Sequence, residues 1–109
     1  MKGAIYARFS SDNQRDESID AQVRACEEYA KRNDIQIVKI YADRAKSATS
    51  DKRPEFQHMI ADSGESLFDY LLIHKLDRFS RDKYDSAKYK HILKQNGVRI
   101  ISITENLDD

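Results

Sequence analysis

The chain has 109 residues, 39% of them hydrophobic and 35% charged, with 19 basic residues balancing 19 acidic ones. That length fits one domain with one core, and the composition excludes both a disordered chain and a membrane span of about eighteen apolar residues. Net neutrality argues against a strongly basic surface, so attraction for phosphate has to come from local clustering.

Four short apolar runs alternate with polar segments of helical period: Ala4 to Arg8, Ile35 to Tyr41, Tyr70 to His74 and Val98 to Ile103. This alternation predicts β-α-β units around a largely parallel sheet, an α/β fold. The N-terminal MKGAIYARF enters strand-like sequence directly, without the apolar core and cleavage site of a secretory signal, and a cytoplasmic location is expected.

After the first run, Ile19, Val23, Cys26 and Ala30 recur at helical spacing, predicting an amphipathic helix that ends near Asn33 with Lys31 and Arg32 complementing its dipole. Cys26 is the only cysteine, so no intrachain disulfide can form, and it reads as a small apolar filler on this helix. A single thiol and three scattered histidines show no metal-ligand spacing.

The irregular stretch from Ala42 to Arg53 contains DRAKSATSDKR, a length and polarity typical of functional loops. Pro54 then suits the first turn of a second helix, followed by Phe56, Met59 and Ile60 and a stop at Gly64. Tyr70-Leu71-Leu72-Ile73 is apolar at consecutive positions, as in a central strand covered on both faces. A third helix is expected over roughly Asp82 to Asn96, with Tyr84, Tyr89, Ile92 and Leu93 available for packing and Gly97 as terminator.

In open α/β sheets ligands bind beyond the carboxyl ends of the strands. Arg8 and Ser10 follow the first strand two residues apart, which in extended backbone points both to one side, and Gln14 comes shortly after. A hydroxyl beside a guanidinium suits a nucleophile next to an anion clamp.

After the third strand comes Lys75-Leu76-Asp77-Arg78-Phe79-Ser80-Arg81-Asp82, in which Asp77, Arg78 and Arg81 can share one face of an opening helical turn. Arg53, directly before Pro54, is placed to join them at a helix start. Arg8, Arg53, Arg78 and Arg81 together suit an anion with several oxygens, because the guanidinium fork donates two parallel hydrogen bonds and stays charged. A phosphate diester is the natural guest, and a reaction in which arginines neutralise the charge commonly assigned to Mg²⁺ follows as the hypothesis. Tyr6, Phe9 and Phe79 flank these charges as packing residues.

Carried by Tyr6-Ala7-Arg8-Phe9-Ser10 with Gln14, by Ser18-Ile19-Asp20-Ala21-Gln22, by Arg53-Pro54-Glu55-Phe56-Gln57 and by the segment from Lys75 to Asp82, the sequence resembles the N-terminal catalytic domain of the serine site-specific recombinases, the resolvase–invertase family. The Arg53 block is most similar to the large integrase and transposase branch. The resemblance implies a three-layer fold with a mostly parallel four- or five-stranded sheet and helices on both faces.

It implies that Ser10 attacks a DNA phosphodiester and becomes joined to the 5′ phosphate, that Arg8, Arg53, Arg78 and Arg81 hold the scissile phosphate, and that Asp77 orients arginines or assists proton transfer. Gln14, Gln22 and Ser47 would support the site. The covalent link would conserve bond energy, so no ATP, metal or other cofactor is expected.

One departure is the loop Asp43-Arg44-Ala45-Lys46-Ser47-Ala48, which lacks the glycines usual around the family's serine and therefore their positive-φ freedom. The family also continues into a dimerisation helix and a DNA-binding region, so residues 1–109 are expected to be a catalytic fragment. DNA and partner copies in a dimer or tetramer would then belong to the full-length protein. A non-catalytic phosphate- or nucleotide-binding domain on the same scaffold is the alternative, and a phosphatase would lack a glycine-rich cradle, since only Gly3, Gly64 and Gly97 are present.

Overall fold

The structure, a computed structural model, describes residues 1–9, 18–44, 53–79 and 83–105, with the side chains of Phe9, Asp77, Lys83 and Asp85 excluded. Its elements run β1 (Lys2–Phe9), α1 (Ile19–Arg32), β2 (Gln36–Arg44), α2 (Pro54–Ser63), β3 (Tyr70–Ile73), α3 (Leu76–Phe79), α4 (Lys83–Gln95) and β4 (Arg99–Ser102). All strand pairs are parallel, in the order β2-β1-β3-β4.

The chain steps outward from β1 to β2 and then crosses back to β3, so the winding direction reverses beside β1. Such a reversal puts the crossover helices on opposite faces when both crossovers keep the usual right hand. Two apolar clusters record this. Ala4, Tyr6, Tyr41, Leu71 and Ile73 pack with Phe56 and Met59 of α2 and Leu93 of α4, whereas Ile5 and Leu72 pack with Cys26 and Ala30 of α1. Successive residues of β1 and β3 thus point to opposite faces, and both strands are apolar at every central position because both faces are covered.

Helix α1 begins at Ser18, whose Oγ accepts the Ala21 N–H at 3.1 Å, and ends at Asn33, whose Nδ2 donates to Tyr29 O. Its buried residues are Ile19, Gln22, Cys26 and Ala30; Val23 is only partly covered. Burial, with a smaller push from Glu27, raises the Cys26 thiol to about 12, so it stays neutral and acts as an apolar filler.

Helix α4 differs from expectation at Tyr84, which is 81% exposed, while Leu93 is fully buried and Tyr89 packs at the margin of the core. The reason is angular: nine residues at about 100° each place Tyr84 half a turn away from Leu93, on the solvent side. Gly97 takes the positive φ of 80° that ends the helix, as expected. Among the described residues no helix is long and apolar enough to cross a membrane.

Strand β2 and α2 are tied together by Asp62, whose carboxylate accepts the Tyr41 hydroxyl at 2.7 Å and Lys39 Nζ at 3.0 Å, with His58 Nε2 at 3.5 Å. The Tyr41 hydrogen bond, then that of Lys39, outweighs burial and holds this carboxyl below its ordinary 3.8. A carboxyl with a depressed folded-state pKa contributes stability above its unfolded value and loses it as pH falls through the folded one. Urea unfolding of the native chain and of Asp62→Asn should therefore differ most at about pH 5 and above, and the difference should shrink by about pH 3.

Candidate functional site

Strand β1 outruns its neighbour on one side. It pairs with β2 through to Phe9 but with β3 only from Gly3 to Ile5, so its last residues project past the end of β3. Helix α3 packs against both β1 and β3, at the side of the sheet where the winding reverses.

Arg8 continues the face of Ala4 and Tyr6 and is 8% exposed. Its main chain is gripped by Gln22 of α1, whose Oε1 accepts the Arg8 N–H at 3.3 Å and whose Nε2 donates to Arg8 O at 3.0 Å. The side-chain amide serves Arg8 as a neighbouring strand would, which explains a fully buried glutamine in an otherwise apolar helix face.

Tyr6 directs its hydroxyl diagonally across the strand pair, donating to Asp43 Oδ2 at 2.8 Å. The same carboxylate, 8% exposed, accepts the N–H groups of Glu55 and Phe56, each at 3.0 Å. Asp43 therefore caps α2 from the neighbouring strand, a role normally played by the residue at the helix start. That residue is Arg53, which stands in the left-handed region at φ 40° and ψ 64° and makes no side-chain cap bond. Pro54 disfavours the helical conformation for the residue before it, and the left-handed choice costs about 1–2 kcal/mol.

The Arg53 guanidinium lies 4.0 Å over the Phe56 ring and its Nη1 donates to Phe79 O at 2.6 Å. Phe56 also meets Tyr6, Phe79 and Tyr89 edge to face, at centroid distances of 5.2, 5.2 and 4.9 Å. The aromatic cluster thus forms the floor on which Arg53 lies. Arg78, next to Phe79 on α3, is 7% exposed.

Burial most of all, then the Asp43 charge and hydrogen bond, raise the Tyr6 phenol far above its ordinary value, while Arg53 and Arg8 pull the other way. Arg53 lies on the Phe56 ring that Tyr6 meets edge to face, and Arg8 follows Tyr6 by two residues on the same face of β1. Arg8, Arg53 and Arg78 are gathered at the carboxyl edge of β1 and β3. The backbone of Asp77 belongs to α3 beside them; Ser10, Gln14, Ser47 and Arg81 lie outside the described residues.

Sequence reasoning missed Asp43, and it read Tyr6 only as packing. The period-two pattern did offer a signal: Asp43 shares the inward face with Tyr41, an unusual place for a carboxylate unless it has donors to meet. Among the described residues no three His, Cys, Asp or Glu side chains cluster as metal ligands would. Chemically, several guanidiniums with little solvent around them can hold and polarise an oxyanion, and the carboxylate in their midst is already engaged by three donors.

Comparison with known proteins fits this geometry. The family described as Resolvase, N terminal domain, matches residues 3–109. The Transposon Tn917 resolvase of Enterococcus faecalis is 31% identical over 103 residues, covering 94% of this chain and 50% of that protein. This chain therefore spans half the length of that relative. The N-terminal catalytic domain of TP901-1 integrase superposes with a TM-score of 0.83 at 33% identity, covering 95% of this chain and 78% of that one. A resolvase family site-specific recombinase from Streptococcus pneumoniae gives 0.86 at 31% identity, covering 100% and 76%.

Replacing Asp43 by Ala orphans two helix N–H groups and a buried phenol, and should lower stability by about 2–4 kcal/mol in urea unfolding. Gln22→Leu, which keeps the volume but abandons the Arg8 main chain, should cost about 1–3 kcal/mol in the same measurement.

Proposed function

The chain belongs to the resolvase N-terminal domain family, and from that premise we propose that it is the catalytic domain of a site-specific DNA recombinase that cleaves and rejoins DNA through a covalent 5′-phosphoserine intermediate. Residues 1–109 are read as the catalytic part of a longer protein, and DNA together with further copies of the same protein, as dimer or tetramer, are the partners of the whole.

The observation that carries this reading is the gathering of Arg8, Arg53 and Arg78 near the end of β1, with Arg8 two residues before Ser10 in the chain. In the proposed step the Ser10 oxygen attacks phosphorus, a P–O bond forms to the serine, and the bond to the 3′ oxygen breaks. The serine proton passes to a base, the leaving oxygen takes up a proton, and a free 3′ hydroxyl results. Rejoining runs the same step backward with a 3′ hydroxyl as nucleophile, so the phosphoester count is unchanged.

The transition state spreads negative charge over the non-bridging oxygens. Arg8, Arg53, Arg78 and Arg81 are assigned to hold those oxygens, and preorganised donors of this kind are worth about 10²–10³ in rate each. Asp77 is assigned to orient the arginines or assist proton transfer, and Gln14, Gln22 and Ser47 to support the site. For Gln22 the support has a stated form, the grip on the Arg8 main chain. The chain's likeness to a transposon resolvase and to an integrase catalytic domain favours this reading over a non-catalytic phosphate-binding domain.

The test is covalent trapping of the full-length protein on a target site carrying a nick. Ser10→Ala should abolish the protein–DNA adduct, and an adduct as abundant as that of the native protein would eliminate Ser10 as nucleophile. Arg8→Lys keeps the charge but loses the planar fork, and should slow adduct formation by about 10²-fold with little change in DNA affinity.

A further inference from the structure

Helix α3 is four residues long, yet it carries Asp77 and Arg78. An isolated helical turn is unstable in water, because fixing its backbone costs more than one hydrogen bond returns. Its position has to be imposed from outside, and side chains bond to it at both ends. Arg53 donates to the carbonyl of Phe79, the last residue, and Glu105 Oε1 accepts the N–H of Leu76, the first residue, at 2.7 Å.

Glu105 lies 29 residues further along the chain from Leu76, just beyond β4. Its carboxylate also accepts the Ser102 hydroxyl at 2.8 Å, which fixes its direction. Two more bonds join the same segments: Thr104 Oγ1 donates to His74 O at 2.6 Å and the Ile103 N–H to Ile73 O at 2.9 Å. The segment leaving β4 thus clamps the joint through which β3 passes into α3. The Leu76 N–H, followed by the Ser102 hydroxyl, holds the Glu105 carboxyl below its ordinary range, so the acceptor is ionised and complements the positive end of the turn.

We propose that Glu105 is a positioning residue for phosphodiester cleavage: by bonding the Leu76 N–H it sets the place of α3 and hence of Arg78 at the rim that holds the scissile phosphate. The inference rests on the function proposed above and adds a residue remote in sequence from the arginines assigned to the phosphate. Glu105 touches no reacting atom, and its effect passes through the backbone of α3.

The experiment uses the full-length protein and the nicked target site, with the rate of adduct formation, equilibrium DNA binding and the thermal midpoint measured for each variant. Glu105→Ala removes the acceptor and should slow adduct formation roughly tenfold or more, since small misplacements of a catalytic group are costly, while DNA binding stays near native. Glu105→Gln keeps an oxygen acceptor of the same reach and should restore the rate to within about threefold of native. Ser102→Ala, which frees the carboxylate's direction but leaves the Leu76 bond, should fall between them.

A Glu105→Ala rate within about twofold of native, a Glu105→Gln protein as slow as Glu105→Ala, or a loss fully accounted for by the unfolded fraction would each overturn the proposal. Ser10→Ala is run alongside. Survival of the adduct in that variant would sink the functional reading itself, whereas its loss together with a native-like Glu105→Ala would sink only the role of Glu105.

Discussion

One buried carboxylate holds together three parts of the fold that meet at the arginine rim. Asp43 belongs to β2, takes the Tyr6 hydroxyl from β1, and takes two N–H groups from the first turn of α2. Stripping water from a carboxylate costs several kcal/mol, and an isolated one would not be tolerated here. Three donors, two of them at the positive end of a helix, offset that cost and make the arrangement directional. The helix can start only where those N–H groups meet Asp43, so Arg53, two residues before Glu55, has its backbone position fixed by a residue in another layer. Its left-handed conformation is the strain accepted for that placement.

The rim exists because the sheet is uneven at its switch point. Had β3 been as long as β1, the end of β1 would have been covered by strand pairing on both sides, and Arg8 would face a continuous sheet. Because the pairing stops at Ile5 with Leu72, the Gln22 amide meets the Arg8 main chain where a strand would, and α3, which follows β3, packs against β1 and carries Arg78. Arg53 then bonds to the end of α3 through Phe79, so the groups proposed to hold phosphate are linked to one another through backbone and aromatic packing. This is how residues far apart in sequence come to one edge.

The strands were legible because burial on both faces leaves β1 and β3 with uninterrupted apolar runs, and the helix boundaries because Pro54 and Gly97 carry local chemistry for starting or stopping a helix. Arg8 and Arg78 were legible from their places after strands, and Arg53 from its place directly before Pro54. What stayed hidden depends on partners distant in sequence. Nothing around Asp43 announces that its acceptors serve a helix beginning at residue 54, since the usual capping signals are local. Gln22 was named as supporting, but periodicity alone could not show that its amide replaces a strand neighbour for Arg8. Tyr84 was read as available for packing, and its angular distance from Leu93 decided otherwise.

Tyr6 shows how the two alcohols of the Tyr-x-Arg-x-Ser motif can be separated on physical grounds. Its oxygen is buried and already donates to Asp43, and both effects keep the phenol protonated far above neutral pH. A group so held is a poor nucleophile and a poor proton shuttle, because moving its proton would place two negative oxygens together inside the core. Its ring instead packs edge to face with Phe56, on which the Arg53 guanidinium rests. The tyrosine therefore transmits the position of β1 to the arginines, which is consistent with the proposal that Ser10 and not Tyr6 is the nucleophile.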